Sequence, residues 1–250
     1  MPSLNIDPPQ PPNTWQQVPN AIRRKIDLSA VVRDALLATN HPSPYRPLIA
    51  LSSLESYVGA AKRQQNRMKR AMSAPWRPKQ GRRSSLFDDT HFYLIAWARI
   101  AKLGTFISRE TGFRRVGLVL RRYRTDLDVR IAGRDHLEHF EERLPGGPQQ
   151  KTLLVPNDVF NMADSSMTYG GKTIDIGPKS LVLLLTLVAE LRAALMFDAV
   201  ETLVTEDITS LRRLLDRAAS EVHVARVSKK VLKMLSKTTT RHQKTAPRAG

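Results

Sequence analysis

The densest run of residues able to do chemistry is Arg134-Asp135-His136-Leu137-Glu138-His139-Phe140-Glu141-Glu142-Arg143. A guanidinium holds phosphate oxygens in a planar, bidentate fork. An imidazole takes up and gives back protons near neutral pH. Together they are the equipment of phosphoryl chemistry, with Arg134 on the phosphate and His136 or His139 moving the proton. A second account needs no ligand. Arg134 and Glu138 stand four residues apart, the spacing at which a helix closes an internal ion pair.

On a helix each residue advances about 100°, so Tyr123, Leu127, Ile131 and Arg134 fall within about 80° of one another. Arg134 is therefore expected to continue the apolar stripe, with Glu138 about 40° away and His139 about 140° away. A charged group on a buried stripe is costly unless paired. The same run contains His136 and His139 at i,i+3 with Glu138 and Glu142 near, a spacing that suits a metal in a helical bundle. No matching motif exists elsewhere in the chain, so neither a metal nor a cofactor is expected. Gly170-Gly171-Lys172-Thr173 lacks the upstream glycine of a phosphate-binding loop, and Ser165 and Ser166 sit in no nucleophile elbow.

These residues lie within a basic chain. Its 250 residues carry a net charge of +17, with 40 Lys and Arg against 23 Asp and Glu. The block 47–85 holds +8 of this and the block 206–250 holds +7, around a nearly neutral middle. A near-neutral folded core with basic flanks attracts polyanions at long range. Nucleic-acid contacts are expected from Arg63, Arg67, Arg70, Arg82 and Arg83, and from Lys229, Lys230 and Lys233. Trp76, amid Arg70, Arg77, Arg82 and Arg83, either stacks a base or is an ordinary loop tryptophan. The absence of cysteine excludes disulfides, thiolate zinc sites and cysteine nucleophiles, and fits a cytoplasmic setting. No signal-peptide layout opens the chain. The apolar run Leu181 to Phe197 carries Glu190 and Arg192, so no membrane span is expected.

The elements that must position the cluster are mostly helical. A Pro-rich leader over 1–19 precedes helices expected over about 22–40 and 48–72. Asp89 and Thr90 are placed to cap a helix to about 110, stopped by Thr111-Gly112, with Phe92, Ile95, Ala96, Ile100, Leu103 and Ile107 as its apolar stripe. One long helix is expected over 114–144, with Val116 and Leu120 beginning its stripe, ended by Pro145-Gly146-Gly147. Alternating residues around Gly170-Gly171 predict a β-hairpin near 165–176. An apolar helix over 179–200, opened by Pro178, and a basic helix over 207–236 follow. The expected fold is mainly α, a helical bundle over 20–237 with a small inserted β-hairpin, and a basic tail over 238–250.

Arginine, a polar residue, then a histidine with four residues between it and the arginine resembles the motif of the HEPN family, helical-bundle proteins of prokaryotic toxin and defence systems. Arg134-Asp135-His136-Leu137-Glu138-His139 carries that pattern at the end of a long bundle helix, with Asp135 an accepted type after the arginine. The string Arg134 to Gly147, the Tyr169-Gly170-Gly171 hairpin and the apolar helix look like uncharacterised bacterial members. The resemblance covers residues 48–205 and is firmest over 90–200. It implies a metal-independent endoribonuclease whose composite site forms across a homodimer, with a 2′-hydroxyl attacking phosphorus to leave a 2′,3′-cyclic phosphate. Arg134 would stabilise phosphoryl charge and His139 would act as acid or base. RNA is the implied partner, beside a second copy of the chain and an antitoxin or defence partner. Arg130 and His136 fit the spacing in a second register, and His136 competes with His139 for the same role. Many members of the family instead bind or assemble without cutting, and a non-catalytic helical scaffold or basic nucleic-acid-binding module is the alternative here.

Overall fold

The computed structural model describes residues 20–73, 82–139, 161–163, 165–169 and 172–223. They form two compact units, His41–Asp198, and Met1–Asn40 with Ala199–Gly250. The fold is mainly α with a small antiparallel sheet, as the periodicities require.

The unit His41–Asp198 contains α3 (Tyr45–Ser73), α4 (Arg82–Thr111), α5 (Arg114–Arg122), α6 (Arg124–Glu138), strands β1 (Asn161–Ala163), β2 (Ser166–Tyr169) and β3 (Lys172–Asp175), and most of α7 (Pro178–Glu206). Helix α4 is central and packs against α3, α5 and α6. Tyr93, Leu94, Trp97, Ala98 and Ile100 are fully buried on it. It ends where Gly112 takes φ +68°, a left-handed conformation that glycine adopts without a Cβ clash. Helix α5 begins without a local side-chain cap. Asp198 of α7 serves instead, accepting from the Arg115 backbone N–H at 2.9 Å and pairing with the Arg115 guanidinium.

The strands run β1-β2-β3, with Met167 opposite Ile174 and Tyr169 opposite Lys172. The expected hairpin is β2 and β3, and β1 adds a third strand outside the expected span. Its inner side chains, Tyr169 and Ile174, press on α6 at Gly133. A Cβ built there would lie 3.1 Å from Ile174 Cδ1 and 3.3 Å from Tyr169 Cε1.

By length and composition α7 is apolar enough to cross a membrane, with mean hydropathy 2.0 over its best window. Here its apolar side is a core face: Leu184, Leu187, Leu191 and Leu195 are buried. The two charges inside its apolar run, Glu190 and Arg192, are paired within the unit. Arg192 Nε donates to Glu55 Oε1 at 2.6 Å, and Glu190 accepts from Arg122 at 2.7 Å and from Tyr123 Oη at 2.9 Å.

In the other unit, α1 (Asn20–Arg23) and α2 (Leu28–Ala38) stand where a single helix is expected. Asp27 makes the break, its carboxylate accepting from the Ser29 N–H at 2.9 Å as an N-cap. Val31, Val32, Ala35 and Leu36 of α2, and Val200 and Leu203 of α7, are buried. Helix α8 (208–223) starts after Asp207, which accepts from the Ser210 N–H and hydroxyl. Those two bonds, the hydroxyl first, hold its carboxyl below the usual range.

Three further expectations are corrected. The helix expected over 114–144 is two, α5 and α6, joined at Tyr123 (φ −91°, ψ 9°), and α6 ends at Glu138. Asp89 and Thr90 do not cap α4, which begins at Arg82; both are buried inside it, and Thr90 Oγ1 donates to the Leu86 carbonyl at 2.8 Å. Phe92 leaves the apolar stripe and stands 54% exposed.

The Tyr123 joint carries a pH dependence. Burial first, then its hydrogen bond to the Glu190 carboxylate and that group's charge, push the phenol up to about 12. The ordinary tyrosine value is about 10. The folded value lies above the unfolded one, so the contribution of this group is fully present below about pH 10 and is lost as pH rises toward 12. Denaturant unfolding of wild type should weaken from pH 9.5 to 11.5 more than that of Tyr123→Phe. Identical slopes for the two proteins would refute the assignment.

Candidate nucleic-acid interface

The two registers of the arginine–histidine motif fall in different environments. Arg130 and His136 are inside, at 4% and 1% exposure. The Arg130 guanidinium lies over the Trp97 ring, Cζ 4.4 Å from its centroid. Its Nη1 donates to the Asp126 carbonyl at 2.9 Å and to Asp126 Oδ1 at 3.1 Å. Its Nε reaches Ser180 Oγ at 3.4 Å, and Ser180 accepts from Tyr93 Oη at 2.9 Å. The His136 ring packs 5.5 Å from that of Tyr169, whose hydroxyl donates to the Val129 carbonyl. Burial raises both Tyr93 and Tyr169, so each phenol stays a neutral donor. Arg130 and His136 thus present no surface to a polymer. Sequence spacing admits this register, but the Trp97 and Ser180 that receive Arg130 come from α4 and α7, and no local pattern announces them.

Arg134, expected on the buried stripe, sits at its margin with a side chain 16% exposed. The angular count is right, but the sheet draws the buried arc of α6 toward Gly133 and His136, leaving Arg134 on the opposite flank. It is paired with Asp135 and, at 3.2 Å from Nε, with Glu138 Oε2. Glu138 in turn meets His91 Nε2 of α4 at 3.7 Å. His139 is exposed and closes α6, its N–H donating to the Asp135 carbonyl at 3.1 Å. Arg134 and His139 diverge by about 140° around the helix, so they do not converge on one atom within a chain. His136 and His139 likewise part, one inside and one outside. Among the described residues no three His, Asp or Glu side chains gather as a metal site would require.

The expected phosphate contacts Arg63, Arg67 and Arg70 are exposed on the last turns of α3, with Lys62 and Lys69. Arg63 and Arg70 lie one turn to either side of Arg67 on the same face. Arg67 Nε holds Asp89 Oδ1 of α4 at 3.0 Å. Asp89 is buried, and desolvation raises its carboxyl against the opposing pull of Arg67. Arg82 and Arg83 open α4. Lys229, Lys230, Lys233, Trp76 and Glu142 lie outside the described residues.

Two contacts therefore join three helices at this end: the Arg67–Asp89 ion pair ties α3 to α4, and His91 Nε2 of α4 lies 3.7 Å from Glu138 Oε1 of α6. The basic face of α3 and the Arg134/His139 edge occupy the same end of the bundle. The roles of His91 and of the buried Asp89 in joining these helices were not legible in the sequence. Two residues apart on α4, they reach opposite neighbours, a relation visible only once three helices are packed. Comparison with family models, curated proteins and solved structures returns no match, so the family resemblance rests on the motif and its place in the bundle.

Proposed function

We propose that this chain is an RNA-directed, HEPN-like helical-bundle protein of the cytoplasm that binds RNA across the joined ends of α3, α4 and α6. The observation that carries this is that Arg67 meets Asp89 and Glu138 lies beside His91, two residues on, so the exposed α3 cations and the Arg134/His139 end of α6 flank one stretch of α4. Phosphates are met first by the α3 cations, which are exposed and long enough to follow a backbone. Arg134 is a reserve contact, since a phosphate must displace Glu138 or Asp135 to reach it. Anisotropy of a labelled RNA at low salt tests this directly. Arg63→Gln with Arg70→Gln should weaken binding severalfold and leave the melting temperature unchanged. Arg67 is spared because its loss strands the buried Asp89. Absence of binding at low salt would overturn the proposal.

A second reading, metal-independent endoribonuclease action by a homodimer, is favoured by one observation. Arg134 and His139 are the pair at the surface, and their divergence within one helix is what a composite site across two chains would require. Purified dimer should then cleave RNA in EDTA, leave a 2′,3′-cyclic phosphate and spare strands with 2′-deoxyribose at the cut. His139→Ala should abolish cleavage without shifting the melting temperature. A monomer at micromolar concentration in light scattering, or intact RNA throughout, would leave the binding function alone.

A further inference from the structure

The surface that joins α3 to α6 has an aromatic at its centre. On α4, Asp89 faces Arg67 and His91 faces Glu138, and the outward face between those directions holds Phe92. Phe92 is 54% exposed, and its ring is stacked on that of His91, with centroids 6.0 Å apart and planes at 24°. His91 Nε2 lies 3.7 Å from Glu138, and its ring stands 6.5 Å from that of Phe87, tilted by 43°. The exposed ring therefore stands nearly parallel to a second ring of the same helix.

We propose that Phe92, backed by His91, is a base-stacking platform, and that the RNA bound on this surface is single-stranded. This rests on the RNA-binding function proposed above. Phosphates cannot be what Phe92 receives, because Asp88, exposed one turn before it, repels them. The cations that can hold phosphates are Arg99, exposed two turns further along the same face of α4, and Arg63 and Arg70, exposed on α3, which meets this part of α4 through Arg67 and Asp89. An apolar ring with cations beside it is the arrangement that seats a base on the ring and its backbone on the charges. A duplex offers no such base, since its rings are stacked on one another, so the platform selects an open strand.

The test compares a labelled oligouridylate with a duplex of the same length, on wild type and variants of the full chain. Phe92→Ala should weaken binding of the single strand by about 5- to 100-fold. The salt dependence should not change, because no phosphate contact is lost, and duplex binding should stay as in wild type. Phe92→Trp should keep the affinity, and the fluorescence of the added indole should be quenched by the oligouridylate. If wild type binds the strand and Phe92→Ala binds it equally well, the platform is wrong while RNA binding through Arg63 and Arg70 stands. Equal losses on strand and duplex would also overturn it. A wild type that binds neither nucleic acid at low salt removes both proposals.

Discussion

Raising salt from 50 to 200 mM should cost the protein more RNA affinity than any single substitution on its surface. Each cation that neutralises a phosphate releases condensed counterions, and for a single strand the log–log slope is about −0.7 per contact. Four contacts from Lys62, Arg63, Lys69 and Arg70 give a slope of about −3, and a fourfold rise in salt then weakens binding about 50-fold. The segment 225–250 adds Arg226, Lys229, Lys230, Lys233, Lys237, Arg241, Lys244 and Arg248 and no acidic residue. If these cations also meet the strand, roughly twelve contacts give a slope of about −8, and the full chain loses on the order of 10⁵-fold over the same range. Deleting 225–250 should bring the slope back to about −3 without abolishing binding, because the α3 face belongs to the unit His41–Asp198. Asp89 and Glu138 are already engaged by Arg67 and Arg134, so the exposed carboxylate left to repel phosphate on this stretch of α4 is Asp88. The measurement is anisotropy at four or more salt concentrations for both lengths of chain. An affinity that does not change with salt would show that the charge excess of this protein is not what binds nucleic acid.

Much of this surface was legible before the fold. The period of apolar residues locates α3 within a few positions, the C-terminal end of α4 and the start of α7. Gly112 stops α4 as expected, and the alternation around residues 170–171 marks the β2–β3 pair. Apart from the break between α1 and α2, which Asp27 makes locally, the failures share one cause: they sit where a neighbouring element, not the helix itself, decides which side is buried. Val116 to Ile131 reads as one stripe because a break at Tyr123 costs the pattern almost nothing. Tyr123 stays buried on either description and anchors to Glu190 of α7. On α6 the sheet comes down on Gly133, and the stripe turns from Arg134 toward His136. Glycine was the available signal, since a residue without a side chain on a helix flank invites close approach. Asp89 looked like a cap because aspartate before an apolar run is commonly one. Its partner Arg67 lies on another helix, beyond what local spacing reveals. Phe92 fits the α4 stripe by period but faces outward, because α3 and α6 flank this end of α4 and leave its third side open.

Arg130 and Arg134 should respond oppositely to truncation, although the sequence treats them as alternatives for one role. Arg130→Ala removes a buried side chain that lies over Trp97 and hydrogen-bonds Asp126 and Ser180. The cavity and the lost cation–π contact together cost about 2–4 kcal/mol, or roughly 5–15 °C in melting temperature for a domain of this size. The larger penalty of an abandoned buried charge does not apply, because Asp126 is 44% exposed and water takes over its carboxylate. Arg130→Met should recover most of the loss. It refills the space above Trp97 and dispenses with desolvating a guanidinium, an exchange that buried ion pairs commonly tolerate. Arg130→Lys should fall between, since an ammonium cannot lie flat on the indole while reaching Ser180. Arg134→Ala, by contrast, frees Asp135 and Glu138, whose side chains are 42% and 36% exposed, and should cost less than about 1 kcal/mol. Its effect should be read in RNA binding or cleavage instead. Thermal melts of the four variants decide the matter. An Arg134→Ala protein that melts as low as Arg130→Ala would mean that the surface pair holds the bundle together, and would remove Arg134 from any contact with RNA.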